Sequence, residues 1–190
     1  MSLVAGIDEV GRGCLFGSVM AAVVVVTPAQ EKALWQIGVK DSKKLSAKKR
    51  EELVPQIQSM VTQWAIAAAS VAEIDEINIL QATFLAMRRA VDQLTVQPDE
   101  LLIDGNKIIP HCDYPQTALV KGDSISAAIA AASILAKVQR DALVTTLAEA
   151  YPQYDLVNNK GYGTKKHRLA IAAYGLTEHH RRSFKLKNQA

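Results

Sequence analysis

Two apolar runs open the chain and set its first elements. Residues 3–7 read Leu-Val-Ala-Gly-Ile and stop at Asp8, and Ser18–Thr27 is valine-rich and closed by Pro28. Both predict buried or half-buried strands, because β-branched side chains fit a pleated surface. Gly11, Gly13 and Gly17 between them mark a loop or bulge where the backbone turns or approaches something closely. Helical spacing follows over Gln30–Gln36 and Ser46–Met60, the latter with Ser46 placed as an N-cap. Trp64–Val71 predicts a third strand, and Ile74–Leu94 a helix that ends near Pro98. Leu101–Ile103 is a short strand stopping at Asp104, and Ala118–Val120 another, stopping before Lys121-Gly-Asp123. Ser124–Ala150 is almost all Ala, Ile, Leu and Val, which fits a buried helix. A turn-rich stretch over 158–163 then leads into a short helix, Thr164–Ala173. Strands and helices intermingle, so the pattern predicts an α/β fold.

Bulk properties narrow this picture only slightly. A chain of 190 residues with 49% hydrophobic and 22% charged positions fits a single domain, 1–190, with a real core. Cys14 and Cys112 stand far apart and in no CxxC pattern, which argues for a reducing compartment. The N-terminus shows no signal pattern, and Val19–Val26 and Ala127–Ala132 are far too short to span a membrane. The expectation is a soluble, cytoplasmic monomer with no membrane partner.

Charge is distributed unevenly. Residues 151–190 hold eight Lys/Arg against Asp155 and Glu178, a net of +6, which leaves −3 on the first 150 residues. A basic end on a near-neutral body suits a polyanionic partner, although a merely solvated basic tail has the same composition. Lys48, Lys49 and Arg50 fall in the first turn of the Ser46–Met60 helix, where bases oppose the helix dipole, so a polyanion is one reason to hold them there.

Four carboxylates share a setting beside glycine. Asp8 and Glu9 follow the first strand, Asp104 follows a later one, and Asp123 precedes the buried helix. Strand ends in an α/β sheet converge on a cleft, so these acids would meet in space. Packed carboxylates repel unless they bind protons or cations, and oxygen-rich clusters suit Mg²⁺ or Mn²⁺. Two such ions can activate water and stabilise the leaving oxygen of a phosphodiester. Taken singly, each acid reads better as a surface residue or cap, and the Asp8–Glu9 pair equally well as an ordinary turn. His111–Cys112 lacks the second pair a zinc site needs.

Seven motifs then carry a resemblance. Gly6-Ile-Asp-Glu-Val-Gly-Arg-Gly13, Asp41-Ser-Lys-Lys-Leu45, Ile103-Asp-Gly-Asn106 and Lys121-Gly-Asp-Ser124 occur in that order. Ala130-Ala-Ala-Ser-Ile-Leu-Ala-Lys-Val138 with Arg140-Asp141, Lys160-Gly-Tyr162 and His180-Arg-Arg-Ser-Phe184 complete the set. Together they resemble the ribonuclease HII family from residue 6 to residue 184. The resemblance implies a ribonuclease H-like fold, a mixed sheet flanked by helices with a C-terminal helical extension. It implies an endoribonuclease that hydrolyses the RNA strand of RNA–DNA hybrids. It also implies nicking 5′ to ribonucleotides embedded in duplex DNA, leaving 3′-hydroxyl and 5′-phosphate ends. Asp8, Glu9, Asp104 and Asp123 would be the catalytic, metal-binding carboxylates, with Mn²⁺ or Mg²⁺. Gly11, Arg12 and Gly13 would contact the ribonucleotide 2′-hydroxyl, the group that separates RNA from DNA. Tyr162 would stack on the sugar beyond the scissile phosphate, Ser42 and Lys43 would contact phosphates, and 151–190 would form a basic substrate-binding part.

One departure stands out. After Gly13 the family usually has proline and small residues, whereas this chain has Cys14-Leu-Phe-Gly-Ser18. The loop loses rigidity that proline would supply. Cys14 reads as a packed, inert thiol, and Asp141 as structural, pairing with a base. Other readings fare worse. Gly11-x-Gly13-x-x-x-Gly17 lacks dinucleotide-loop spacing, and Ser46-Ala-Lys-Lys49 has no partner motif for SxxK chemistry. A resolvase or integrase core would share the acids without the Gly-Arg-Gly loop and its tyrosine. A hybrid-binding protein without catalysis would not need acids beside a polyanion.

Overall fold

The computed structural model describes residues 2–185. Five strands form one sheet: β1 (Val4–Val10), β2 (Val19–Val26), β3 (Gln63–Ala69), β4 (Glu100–Asp104) and β5 (Gln116–Leu119), in the order β3-β2-β1-β4-β5. β1 pairs antiparallel with β2, and β2 antiparallel with β3, whereas β1, β4 and β5 run parallel. The sheet is therefore mixed, and the α/β class expected from the pattern holds.

β2 is buried along its whole length, and its alternation divides the core. Val19, Ala21, Val23 and Val25 join the cluster under α3 (Val71–Val91), while Ala22, Val24 and Val26 join the one under α1 (Pro28–Gln36), α2 (Ala47–Met60) and α4 (Ala127–Ala148). Side chains of successive strand residues leave opposite faces, so a run of valines feeds two layers at once. A third cluster, with Phe16, Val144, Tyr154, Leu156 and Ile171, ties the end of α4 to α5 (Leu156–Asn159) and α6 (Lys165–Tyr174).

α4 crosses β1 so closely that a Cβ on Gly6 would lie 2.2 Å from the backbone of Ala128 and Ile129. Glycine in the strand and alanines in the helix together permit that approach. The N-terminus of α4 is capped by the Ser126 hydroxyl and by Glu31 of α1, whose carboxylate accepts from the Ala127 and Ala128 N–H groups.

Several boundaries differ from the expected ones for identifiable reasons. β1 continues through Asp8 and Glu9 to Val10, so these acids stand within the strand, not after it. Pro28 does not merely close β2 but starts α1, with Thr27 as N-cap in a capping box with Gln30. β5 begins two residues and ends one residue earlier than expected, over Gln116–Leu119. Asn78 breaks α3 at φ 69°, ψ 163°, and its side chain accepts from the N–H groups of Leu80 and Gln81, restarting the helix.

Candidate active site

Alternation along β1 explains how adjacent acids reach one place from different sides. Gly6 and Asp8 face α4, where Asp8 lies beside Ser133, while Ile7 and Glu9 point towards α3. β4 runs parallel beside β1 with Ile7 opposite Ile103, so Asp8 and Asp104 are the next residues on neighbouring strands. Asp8, Glu9 and Asp104 all line a cleft of about 150 Å³ with Ser42, Lys43, Ser133, Lys137 and Tyr162. Glu9 and Asp104 also line a second cleft on the α3 side, beside Arg12, Phe84, Met87 and Lys107.

Each carboxylate is held. Asp8 is 7% exposed, and its Oδ1 accepts from the Glu9 N–H at 2.7 Å. Glu9 pairs with Arg12 at 3.1 Å. Asp104 Oδ1 accepts from the Gly122 N–H at 2.7 Å, which fixes the 3₁₀ turn Gly122–Ser124 carrying Asp123. Asp123 lies near Asp41, whose charge opposes its ionisation. Asp41 in turn accepts from the Lys43 N–H at 2.9 Å.

Burial and mutual repulsion oppose ionisation here. Burial, then the charges of Glu9 and Asp104, push the Asp8 carboxyl well above its usual range, against the Ser133 hydrogen bond. Burial raises Glu9 as well, with Arg12 pulling it back and Asp104 adding to the rise. Asp123 is raised by burial, Asp41 and Asp104. Hard oxygen donors that destabilise one another's charge are the donor set a small divalent cation satisfies. Among the described residues, however, no three His, Cys, Asp or Glu side chains are gathered as a ready coordination sphere. Three of the four expected acids share one cleft, and Asp123 stands beside it, coupled by charge to Asp104.

The other expected residues are placed as follows. Gly11, at φ +92°, has no room for a Cβ: the Nε of Arg140 would lie 2.2 Å away. Gly13, by contrast, faces open space. Arg12 is exposed, and its carbonyl accepts from Arg181 Nη1 at 3.0 Å. Tyr162 is 41% exposed, forms a backbone bridge with Cys14, and lies beneath the Lys137 ammonium, 5.6 Å from the ring centre. Ser42 is buried, with its hydroxyl 2.8 Å from that of Ser133. Arg50 donates to the Ser42 and Leu45 carbonyls, so this base of the α2 first turn braces the Ser42–Leu45 turn. Cys14 is buried, and burial pushes its thiol up, as an inert packed thiol requires. Asp141 pairs with Lys137 at 2.8 Å, the structural role expected of it.

Four residues at or near the site carried no expected role. Asp41, Ser133 and Lys137 sit inside the quoted motifs, yet only their surroundings reveal what they touch. Arg140 is fully buried and donates to the carbonyls of Phe16, Ser18 and Lys160 at 2.8, 3.1 and 2.9 Å. An arginine interrupting the apolar stretch of α4 was the available signal, since such a charge stays buried only when its donors are satisfied.

The sequence model of the family described as Ribonuclease HII matches residues 5–187. Ribonuclease HII of Nostoc sp. (strain PCC 7120) is 53% identical over 183 residues, covering 96% of this chain and 81% of that protein. Ribonuclease HII of Parabacteroides distasonis is 52% identical, covering 96% and 89%. Among solved structures, ribonuclease H2 of Pyrococcus horikoshii superposes with a TM-score of 0.81 at 26% identity, over 96% of this chain and 94% of that one. The ribonuclease HII in the PCNA complex of Archaeoglobus fulgidus gives 0.78 at 28% identity, over 99% and 98%. A ribonuclease HIII bound to Mn²⁺ shares the fold at 0.67 and 20% identity, over 92% and 63%. With similarity along nearly the whole chain and a ribonuclease H-like fold, the chain belongs to the ribonuclease HII family of nucleases.

Proposed function

We propose that this enzyme hydrolyses the RNA strand of RNA–DNA hybrids and nicks duplex DNA on the 5′ side of embedded ribonucleotides, leaving 3′-hydroxyl and 5′-phosphate ends. The observation that carries the reading is the cleft where Asp8, Glu9 and Asp104 meet Lys43, Lys137 and Tyr162. Carboxylates to hold cations, bases to hold phosphate and a ring to hold a sugar share one wall.

Asp8, Glu9, Asp104 and Asp123 would hold Mn²⁺ or Mg²⁺. When bound, two such ions supply the charge that activates water and stabilises the leaving oxygen. The Glu9 and Gly122 N–H groups orient the Asp8 and Asp104 carboxylates before substrate arrives. Lys43, aimed by the Asp41 turn, would neutralise a substrate phosphate, and Ser42 would meet the same strand through its turn. Gly11, Arg12 and Gly13 would read the 2′-hydroxyl, with the open side of Gly13 letting a sugar edge reach the backbone. Tyr162 would stack on the sugar beyond the scissile bond. The basic C-terminal part, from residue 151, would bind substrate within one catalytic domain, with the protein working as a monomer in the cytoplasm. Among the described residues no helix is long and apolar enough to cross a membrane.

End-labelled duplexes carrying zero, one or several ribonucleotides, incubated with Mg²⁺, Mn²⁺ or chelator, test the proposal. Cutting is expected only where ribose and metal are both present. Cleavage of all-DNA duplex, or cleavage that persists in chelator, would overturn it.

A further inference from the structure

Beneath the Tyr162 turn, two histidines meet out of reach of solvent. His167 of α6 and His180 of the C-terminal segment are 0% and 1% exposed, and their Nε2 atoms are 3.1 Å apart. The backbone N–H of Thr177 donates to His180 Nδ1 at 3.0 Å. An amide N–H cannot accept, so a neutral His180 carries its proton on Nε2. That proton points at His167 Nε2, which must then accept, leaving the His167 proton on Nδ1. There it meets the Tyr162 carbonyl at 2.9 Å, a group that only accepts. One tautomer of each ring satisfies all four ring nitrogens.

The pair thus forms a polar line from Thr177 to the backbone of Tyr162. His180 also bridges the backbone of Phe16, in the loop that follows Gly13. Its ring packs edge-on against Phe16, with centroids 5.0 Å apart, and tilts against Tyr154 at 4.9 Å. Burial, then His167 and His179, lowers His180 to about 4, and burial lowers His167 against the Tyr162 carbonyl and Asp155. Both rings are accordingly neutral at physiological pH, as the tautomer chain requires.

We propose that His167 and His180 are positioning residues, which set Tyr162 and the glycine loop against each other and so define the sugar-facing geometry. The proposal rests on the reading of Tyr162 as the residue that meets the substrate sugar. Neither histidine lines the acid-bearing cleft or touches the carboxylates. Their effect runs through the Tyr162 carbonyl and the Phe16 bridge.

The test compares His180→Gln, whose amide keeps a donor towards His167, with His180→Leu, which removes it. Both are assayed on a duplex with one ribonucleotide and on a long RNA–DNA hybrid, beside Tyr162→Ala. With melting curves confirming a folded state, His180→Leu is expected to lose about tenfold or more in kcat on the single ribonucleotide, with KM within about twofold. His180→Gln should stay within about threefold of the parent. Folded His180→Leu with unchanged kcat, or His180→Gln failing equally, would overturn the proposal. Should His180→Leu not fold, two-bond ¹H–¹⁵N spectra of the parent protein decide. They should show His180 protonated on Nε2 and His167 on Nδ1, with the latter resonance moving when duplex is added. The opposite tautomers, or a resonance blind to duplex, would sink the idea. If Tyr162→Ala leaves the single-ribonucleotide rate intact while the spectra are as expected, the reading of Tyr162 fails and the tautomer chain stands.

Discussion

At Asp8, burial does two opposing things. It removes the water that would stabilise a carboxylate, and it places that carboxylate beside Ser133 and Asp104. A group kept for function at a cost in stability has a recognisable signature in its amide variant. Asp8→Asn or Asp104→Asn is expected to lower cleavage by at least ~10²-fold while leaving duplex binding largely intact. The Asp8→Asn protein should melt no lower than its parent without metal, because a buried charge has been deleted. Single-turnover assays, binding isotherms and calorimetry together check this. A much lower melting temperature would mean that the carboxylate braces the fold. The acids were legible from sequence because their flanking glycines and strand ends are themselves patterned. Ser133 was not, since a hydroxyl in an alanine-rich helix reads as filler until β1 is laid against it. Gly11 reads from sequence as a point of close backbone approach, and its missing Cβ makes room for Arg140.

Elements bring constraints that no single residue shows. α4 and β1 touch at Gly6, where an added methyl would have to displace helix backbone. Gly6→Ala should therefore cost about 1–3 kcal/mol through overpacking, or roughly 2–4 °C in Tm for each kcal/mol. An unchanged melting temperature would show that α4 can slide. The paired histidines between α6 and the C-terminal segment impose a pH dependence. Between pH 6.5 and about 4 the unfolded chain binds a proton that folded His180 refuses. Stability is thus fully present above pH 6.5 and falls as pH drops through that window. Denaturant titrations should show a flatter acid limb for His180→Gln, and parallel limbs would contradict this. Element types followed from periodicity, because valine-rich and alanine-rich runs have distinct packing uses. Boundaries moved where capping chemistry took precedence, as when Thr27 and Gln30 drew Pro28 into α1. The break at Asn78 had no periodic signal, since apolar residues continue at helical spacing on both sides of it.

For the whole molecule, charge and topology act together. Lys43, Lys137 and Lys160 come from three distant parts of the chain, and the first two line the acid-bearing cleft. Lys187, counted in the basic end, lies outside the described residues. If phosphate neutralisation supplies most affinity, binding should weaken steeply with salt, the slope of log K against log salt being about −0.9 per phosphate contact. A salt-independent isotherm would remove the electrostatic role given to the basic end. Sequence composition showed that asymmetry but could not show which bases are already engaged. Arg50 is occupied by carbonyls of the Ser42–Leu45 turn, and Arg140 and Arg181 by those of the glycine loop.

Arg140 has one more consequence. Its guanidinium holds the carbonyls of Phe16 and Ser18 on one side and of Lys160 on the other, with no carboxylate among its partners in the described residues. Lysine has neither the planar fork nor the reach to serve three such acceptors at once. Anyone transplanting the loop onto another scaffold, or redesigning the tyrosine turn alone, would have to carry this helix position along with both. The two segments form one part, and this helix position is built into it.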